Sequence, residues 1–162
     1  MAVVARSLSE AFALRASVSS LLLRTSPDLV CNNLMCEKVS LGCACKLALS
    51  LGRLQHLRSL DISGNKLDIL PDSLWQPPVS DTLEDLNISG NRIRALPLRL
   101  TSLARLRSLD VTGNALHASS IPWNALAQMT ALQHLRILDG NDVTCGPAAA
   151  ALALSRPGLI VS

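Results

Sequence analysis

One eleven-residue pattern occurs four times between Leu57 and Val143. Leucine, isoleucine or valine fills its first, fourth, sixth and last positions, and asparagine fills its ninth; the fourth copy has one extra residue before the asparagine. The copies begin at Leu57, Leu83, Leu106 and Leu132, so their spacing is nearly constant. A unit this short cannot bury its apolar side chains alone and has to stack on its neighbours. We therefore expect a parallel sheet with one open, curved face.

The asparagine of each copy is predicted to be structural. Its side-chain amide can both donate and accept hydrogen bonds, and can satisfy backbone groups that a bend leaves unpaired. A glycine precedes it in every copy, which is typical of a tight bend. Stacked copies should therefore align a ladder of asparagines, none of which we assign to a ligand. The predicted ladder is Asn65, Asn91, Asn114 and Asn141.

This pattern resembles that of the leucine-rich repeat family. The corner Leu96-Pro97, followed by Leu100 and Leu103, is similar to the short repeats of intracellular members. The resemblance extends over about residues 31–162. It implies an α/β fold, a right-handed solenoid with a concave parallel sheet, which serves mostly for protein–protein contact rather than catalysis. We further expect a protein partner in a multi-subunit intracellular assembly, in which the chain is an adaptor or structural subunit.

The sequence suggests two regions. Residues 1–30 are predicted to form an N-terminal helix and linker, because Ser7 and Glu10 make a capping box and Pro27 ends any helix. This helix would cap the open end of the solenoid core. Residues 31–162 are predicted to form the repeat domain, whose last repeat acts as a C-terminal cap. Its first repeat is degenerate: the spacing of the first two copies, applied backwards from Leu57, puts repeat positions at Cys31, Leu34, Cys36, Val39 and Leu41.

Residues 1–25 also have the composition of a targeting segment. They contain three arginines, several serines and one acidic residue, Glu10. An uncleaved mitochondrial address is compatible with a capping helix, so both interpretations stay open. The sequence has no apolar run of about 18 residues, the length that a membrane-spanning helix needs. We expect a cytoplasmic or mitochondrial location, and no secretion.

Four of the five cysteines lie close together in the sequence: Cys31, Cys36, Cys43 and Cys45. Their order differs from the disulfide caps of extracellular leucine-rich repeat proteins, so we interpret them as reduced thiols in an intracellular compartment. Their spacing matches no established zinc pattern. We therefore expect no metal and no cofactor. The alternative is a metal- or redox-responsive domain that uses the clustered cysteines.

The composition argues against other function classes. A net charge of +3 is too small for a nucleic-acid footprint, and aromatic residues make up only 2% of the chain. The sequence has no phosphate-binding glycine-rich loop and no Gly-x-Ser-x-Gly motif, and its three histidines lie in different repeats. We predict that the chain is not an enzyme.

The candidate partner-binding residues are the polar positions of the predicted strands, which alternate with the buried leucines. They should form columns across the sheet, and their charges either neutralise one another across strands or make a docking face for a partner. Two tryptophans, Trp75 and Trp123, lie outside the strands and either pack in the core or anchor an interface. The predicted concave-face residues are Arg58, Asp61, Glu84, Asp85, Asn87, Arg107, Asp110, His134 and Arg136.

Overall fold

The computed structural model describes residues 2–31, 36, 42–143 and 146–162. Their strands form one parallel sheet in which every strand lies beside the next one along the chain. This order is that of a solenoid, and it confirms the predicted fold. The strands are β1 (Val3–Ala5), β2 (Val18–Leu22), β3 (Ser59–Asp61), β4 (Asp85–Asn87), β5 (Ser108–Asp110), β6 (His134–Arg136) and β7 (Ile160–Val161).

The chain returns from each strand through short helices on the other side of the core. The α-helices are α1 (Leu8–Leu14), α2 (Cys45–Leu51), α3 (Val79–Thr82), α4 (Trp123–Gln128) and α5 (Pro147–Ser155). Turns of 3₁₀ helix lie at Arg15–Ser17, Pro27–Leu29, Asp72–Trp75, Leu98–Ser102 and Ala118–Ser120. Within the described residues no helix is long and apolar enough to span a bilayer.

The leucines of the repeats stack into one dry core. The middle leucine of each strand is in register with the next, from Leu21 of β2 to Leu60, Leu86, Leu109 and Leu135. All five are at most 2% exposed. Burial of each such side chain contributes roughly 1.5–3 kcal/mol. The regular spacing of leucines in the sequence is therefore what holds neighbouring units together.

The four asparagines form the ladder that the sequence predicts. Asn91 shows the pattern: its Oδ1 accepts from the backbone N–H groups of Asn65 and Leu67, both at 3.0 Å. Its Nδ2 donates to the carbonyls of Ile62 and Ile88 at 3.0 and 2.8 Å. Each asparagine thus joins its own bend to the bend of the preceding unit.

The N-terminal region differs from the prediction. The capping helix is present, and the Ser7 side chain accepts from the Glu10 N–H as expected, but α1 ends at Leu14 rather than near Pro27. Strands β1 and β2 flank it and belong to the same sheet. An isolated helix of this length is marginal, whereas Val18 and Leu21 become fully buried as strand residues. Residues 1–30 are therefore part of the solenoid rather than a separate helix and linker.

The degenerate repeat also begins earlier than predicted. Because Leu21 pairs with Leu60, Leu21 occupies the repeat position that the constant spacing assigns to Leu34. The predicted positions Leu34, Val39 and Leu41 lie outside the described residues, Cys31 is buried and Cys36 is half-buried. The helix that follows this unit and returns the chain to the sheet is α2.

The tryptophans belong to the core rather than to an interface. Trp75 is only 7% exposed, and Trp123 packs against the core while its Nε1 donates to the Ala118 carbonyl at 3.0 Å. Near the C-terminus, the alanine-rich segment from Pro147 forms α5, and β7 pairs with β6.

Candidate functional site

The concave face carries the polar columns that the alternation predicts. Register places Asp61, Asn87, Asp110 and Arg136 in one row across β3 to β6. A second row contains Ser59, Asp85, Ser108 and His134. Backbone hydrogen bonds of 2.7–2.8 Å join the third row, which contains Arg58, Glu84, Arg107 and Gln133. The predicted partner-binding residues therefore share one surface.

Most charges of this surface are paired across strands. Glu84 lies between two arginines: its carboxylate is 3.1 Å from Arg58 Nη1 and 3.9 Å from Arg107 Nε. In the row that contains Asp61, Arg136 Nη1 lies 3.4 Å from Asp110 Oδ2. The arginines are mostly exposed while their acidic partners are mostly covered. Such pairs contribute only about 0.2–1 kcal/mol each, so the arginines can be turned toward a partner at little loss of stability.

Asp61 is the most fixed charge of the face. Burial alone would raise the pKa of its carboxyl group, but hydrogen bonds from Ser63 and the ion pair with Arg24 outweigh burial, so the net pKa is lowered. Arg24 Nη2 lies 2.8 Å from Asp61 Oδ2, and the Ser63 N–H donates to Asp61 Oδ1 at 3.0 Å. The Asp61 carboxylate therefore keeps its charge and is held in place by Arg24 and Ser63.

Asp85 is the least compensated acidic group of the face. Burial and repulsion by the neighbouring Glu84 raise its pKa, more than Arg107 and His134 lower it. Among the described residues we find no ion pair at this carboxylate, which lies at the centre of the sheet. A cation from a partner would relieve the repulsion at Asp85, so this position has the strongest electrostatic reason to be a contact.

The surface itself is shallow. Between β2 and β6 it contains a depression of about 220 Å³, whose lining includes Leu22, Asp61, Asp85, Asn87 and Arg136. This is less than the roughly 300–1,000 Å³ of a typical small-molecule pocket. The shape suits a protruding side chain better than an enclosed substrate.

Two residues of this surface were missed from the sequence. Leu22 continues the row of Asp61 onto β2, and Arg24 follows shortly after it and binds Asp61. The pattern Val18-x-x-Leu21-x-Leu23 is the available signal, because it repeats the first, fourth and sixth positions of the unit. This pattern lies farther from Leu57 than the spacing of the regular copies, so that spacing does not predict it.

Away from the concave face, the bend after β2 brings cysteines together. The sulfur atoms of Cys31, Cys43 and Cys45 all lie within 4.8 Å of one another. Cys43 Sγ is 3.0 Å from Cys45 Sγ, and the Cys36 thiol also contacts Cys43. Cys145 lies outside the described residues.

Comparison with known proteins identifies the repeat. The sequence profile of the Leucine Rich Repeat matches residues 56–77. Human podocan-like protein 1 is 34% identical over 111 residues, which cover 68% of this chain and 21% of that protein. The mouse protein of the same name is 38% identical over 87 residues, which cover 53% and 14% of the two chains. With the in-register sheet and the asparagine ladder, these matches decide the family. The chain belongs to the leucine-rich repeat family.

Solved structures agree with this assignment. A leucine-rich repeat protein of Leptospira interrogans superposes with a TM-score of 0.59 at 28% identity, over 70% of this chain and 27% of the other. An internalin, InlF, of Listeria monocytogenes superposes with a TM-score of 0.60 at 21% identity, over 90% and 34% of the two chains, and supports the fold alone.

Membership of the leucine-rich repeat family indicates a general kind of function. Proteins of this family typically bind other proteins and generally lack enzymatic activity. This chain spans about a fifth or less of the length of the podocan-like proteins that it matches. The comparisons lend no support to the cysteine alternative.

Proposed function

We propose that this leucine-rich repeat protein is a non-enzymatic interaction module that binds a protein partner through its concave face, as an adaptor or structural subunit of a larger assembly. The observation that supports this most directly is Asp85, an exposed acidic side chain at the centre of an ordered polar surface, where partial desolvation and the neighbouring Glu84 disfavour its charge. The rest of the surface offers exposed arginines on both sides of it.

The dimensions of the surface define the guest. Seven strands spaced about 4.8 Å apart make a wall about 29 Å long, and strands of three residues make it about 10 Å wide. Its projected area, about 300 Å², is less than the roughly 800 Å² that each partner contributes to a standard interface. A single helix or loop therefore fits the wall, and a larger partner has to reach the rims as well.

The test is a charge swap that preserves net charge. Asp85→Lys combined with Arg107→Glu rearranges the concave face, while Asp72→Arg combined with Arg99→Asp swaps an exposed ion pair on the helical side. Cross-linking in cells, followed by identification of neighbours, compares both variants with the wild-type chain. We expect the concave variant to lose specific neighbours and the control to keep them, at equal folded content by circular dichroism. Equal neighbour sets in all three proteins would contradict the proposal.

We also propose an intracellular location, cytoplasmic or mitochondrial, supported by the sulfurs of Cys43 and Cys45, which are 3.0 Å apart, well beyond the about 2.05 Å of a disulfide bond. Deletion of residues 1–25 would remove β1, α1 and β2 and disturb the fold. Fusion of these residues to a fluorescent reporter is the cleaner test. Import into mitochondria would support the address, and a diffuse reporter would contradict its mitochondrial part.

A further inference from the structure

The cysteine cluster lies in a bend that packing holds in place. Val30 and Gly42 form an antiparallel bridge, and the Cys43 N–H donates to the Leu29 carbonyl at 2.8 Å. These bonds bring the segment that contains Cys43 alongside Cys31. Cysteines that are distant in sequence thus have their sulfur atoms close together.

Gly42 shows how closely this segment packs. A Cβ atom there would collide with the Asn65 carbonyl oxygen and lie 2.6 Å from the Lys66 carbonyl carbon. The backbone just before Cys43 therefore rests directly on the backbone of the first clear repeat. A thiol on such a support has a defined position.

Burial separates this cluster from ordinary core cysteines. Cys31 is buried, but Cys43 is half-buried and Cys45 is exposed at the start of α2. Packing alone would favour burial of a small apolar side chain. Both Cys43 and Cys45 line a cavity of about 240 Å³, together with Gly42, Ala48 and Pro71. This cavity gives a dissolved ion a route to the sulfurs.

The distances between the sulfurs suit a tetrahedral metal ion. Zinc binds cysteine sulfur at about 2.3 Å, which places two ligand sulfurs about 3.8 Å apart. Every pair in the trio lies within 4.8 Å and Cys43 and Cys45 are 3.0 Å apart, so shifts of about 1 Å or less bring the sulfurs to this separation. A disulfide would need about 2.05 Å.

We propose that Cys31, Cys43 and Cys45 bind a zinc ion, with the Cys36 thiol as the fourth ligand. The Cys36 thiol contacts Cys43 but is not one of the three sulfurs that lie together, so it has to move to reach the ion. Four thiolates make the closed ligand set of a structural zinc site. The ion would join Cys31 to the start of α2 and so hold the irregular N-terminal unit together.

The experiment uses the full chain, purified in reduced, metal-free form under inert gas. Cobalt(II) is the spectroscopic probe, added stepwise until saturation and then displaced by zinc(II). We expect one equivalent of cobalt to give the thiolate charge-transfer absorption and the strong visible bands of a tetrahedral site, with release of protons. Zinc should remove these bands and protect Cys45 from alkylation in the wild-type chain, a measurement that needs no variant.

The variants are Cys43→Ser and Cys45→Ser, with Cys145→Ser as the matched control. Loss of an outer-sphere partner alone weakens metal binding about 10- to 100-fold, so loss of a sulfur ligand should weaken zinc binding by more than about 100-fold. The control should bind zinc like the wild type. Circular dichroism and a thiol count establish that every sample is folded and reduced.

Three results would overturn the proposal. One is a folded, reduced wild-type chain that gives no cobalt bands. Another is a Cys45→Ser variant that binds zinc as tightly as the wild type. The third is selective uptake of copper(I) with no binding of zinc or cobalt, which would replace zinc by a softer ion at the same sulfurs.

Discussion

The bend after β2 and the bend after β4 meet the same geometric demand with different residues. In the regular repeat, Gly90 adopts a positive φ of 63°, and the asparagine that follows joins two units. In the N-terminal unit Thr25 adopts a positive φ of 43°, and Ser26 takes the place of the asparagine. The Ser26 hydroxyl accepts only a local bond, from the Asp28 N–H at 3.2 Å.

The N-terminal unit still makes the bond between units, but through another residue. Asp28 Oδ2 accepts from the Leu8 N–H at 2.7 Å, as Asn91 Oδ1 accepts from the Leu67 N–H in the regular repeat. In the N-terminal unit, Ser26 makes the local bond and Asp28 makes the bond to the preceding unit, whereas in a regular repeat one asparagine makes both. The sheet therefore tolerates an irregular bend as long as some side-chain oxygen accepts a hydrogen bond from the preceding unit. Stability should therefore depend far more on the asparagines than on Ser26.

Replacement of Asn91 by alanine should have the largest effect. It leaves the buried N–H groups of Asn65 and Leu67 without their acceptor, and three carbonyls lose a donor. Because each unsatisfied buried group costs about 1–3 kcal/mol, we expect a loss of about 3 kcal/mol or more in the free energy of unfolding, measured with urea. Ser26→Ala removes one cap-like bond and should cost about 1 kcal/mol.

The control for both variants is Asn124→Ala, because this asparagine is exposed on α4. Alanine favours a helix over asparagine, so this change should be neutral or slightly stabilising. Equal losses for Asn91→Ala and Ser26→Ala would show that the two bends are energetically equivalent, and would contradict the greater dependence of stability on the asparagines.

The same comparison explains how much of the fold could be predicted from the sequence. The regular units were predictable because the strand, the bend and the asparagine occupy the same eleven positions in each copy. These positions also determine which side chains form the rows of the concave face. The N-terminal unit was not, since Thr25 and Ser26 replace the glycine and asparagine and the unit is longer than the regular ones. The apolar residues from Val4 to Leu21 also follow a helical spacing, and only Arg15, at the end of α1, breaks that pattern.

The binding surface was predictable in position but not in charge balance. Alternation places Asp61 and Asp85 on the same face, yet the sequence does not reveal that Arg24 reaches the first and that repulsion isolates the second. Such differences depend on distances between side chains from separate units. The meeting of Cys31 with Cys43 is of the same kind, because a bridge between distant backbone segments creates it.

Exchange of the bend residues should have the intermediate effect. Gly90→Ala forces a side chain into the left-handed region, while its Cβ would meet the Gly64 backbone at an ordinary 3.5 Å, so backbone strain alone should cost about 1–2 kcal/mol. Thr25→Gly relieves the corresponding strain and should stabilise the chain by up to about 1 kcal/mol. Thermal unfolding of the two variants measures both changes. A destabilised Thr25→Gly variant would mean that contacts of the threonine methyl outweigh its backbone strain.

The smallest effects concern the junction between the two regions, where Arg24 of the N-terminal unit binds Asp61 of the first regular repeat. The pKa of Asp61 is lowered in the folded chain, so its charge stabilises the fold above the unfolded pKa of about 3.9, and this contribution is lost as the pH falls through the lower folded value. Asp85 has a raised pKa, so its charge opposes folding at neutral pH and protonation relieves this as the pH falls through the folded value.

Neutral variants of these two aspartates should therefore change stability in opposite directions. At neutral pH we expect Asp61→Asn to destabilise the chain and Asp85→Asn to stabilise it, each by less than about 1 kcal/mol, because the Arg24 partner of Asp61 is mostly exposed and Asp85 is itself exposed. Urea unfolding at neutral pH and again below a pH of about 3.9 measures both, and the two differences should shrink as the carboxyl groups become protonated. Arg24→Ala should reproduce the sign of Asp61→Asn and leave the effect of Asp85→Asn unchanged. If Asp61→Asn and Asp85→Asn instead shifted stability in the same direction, the junction would not be held by its charge, and the electrostatic distinction between anchored Asp61 and available Asp85 would be wrong.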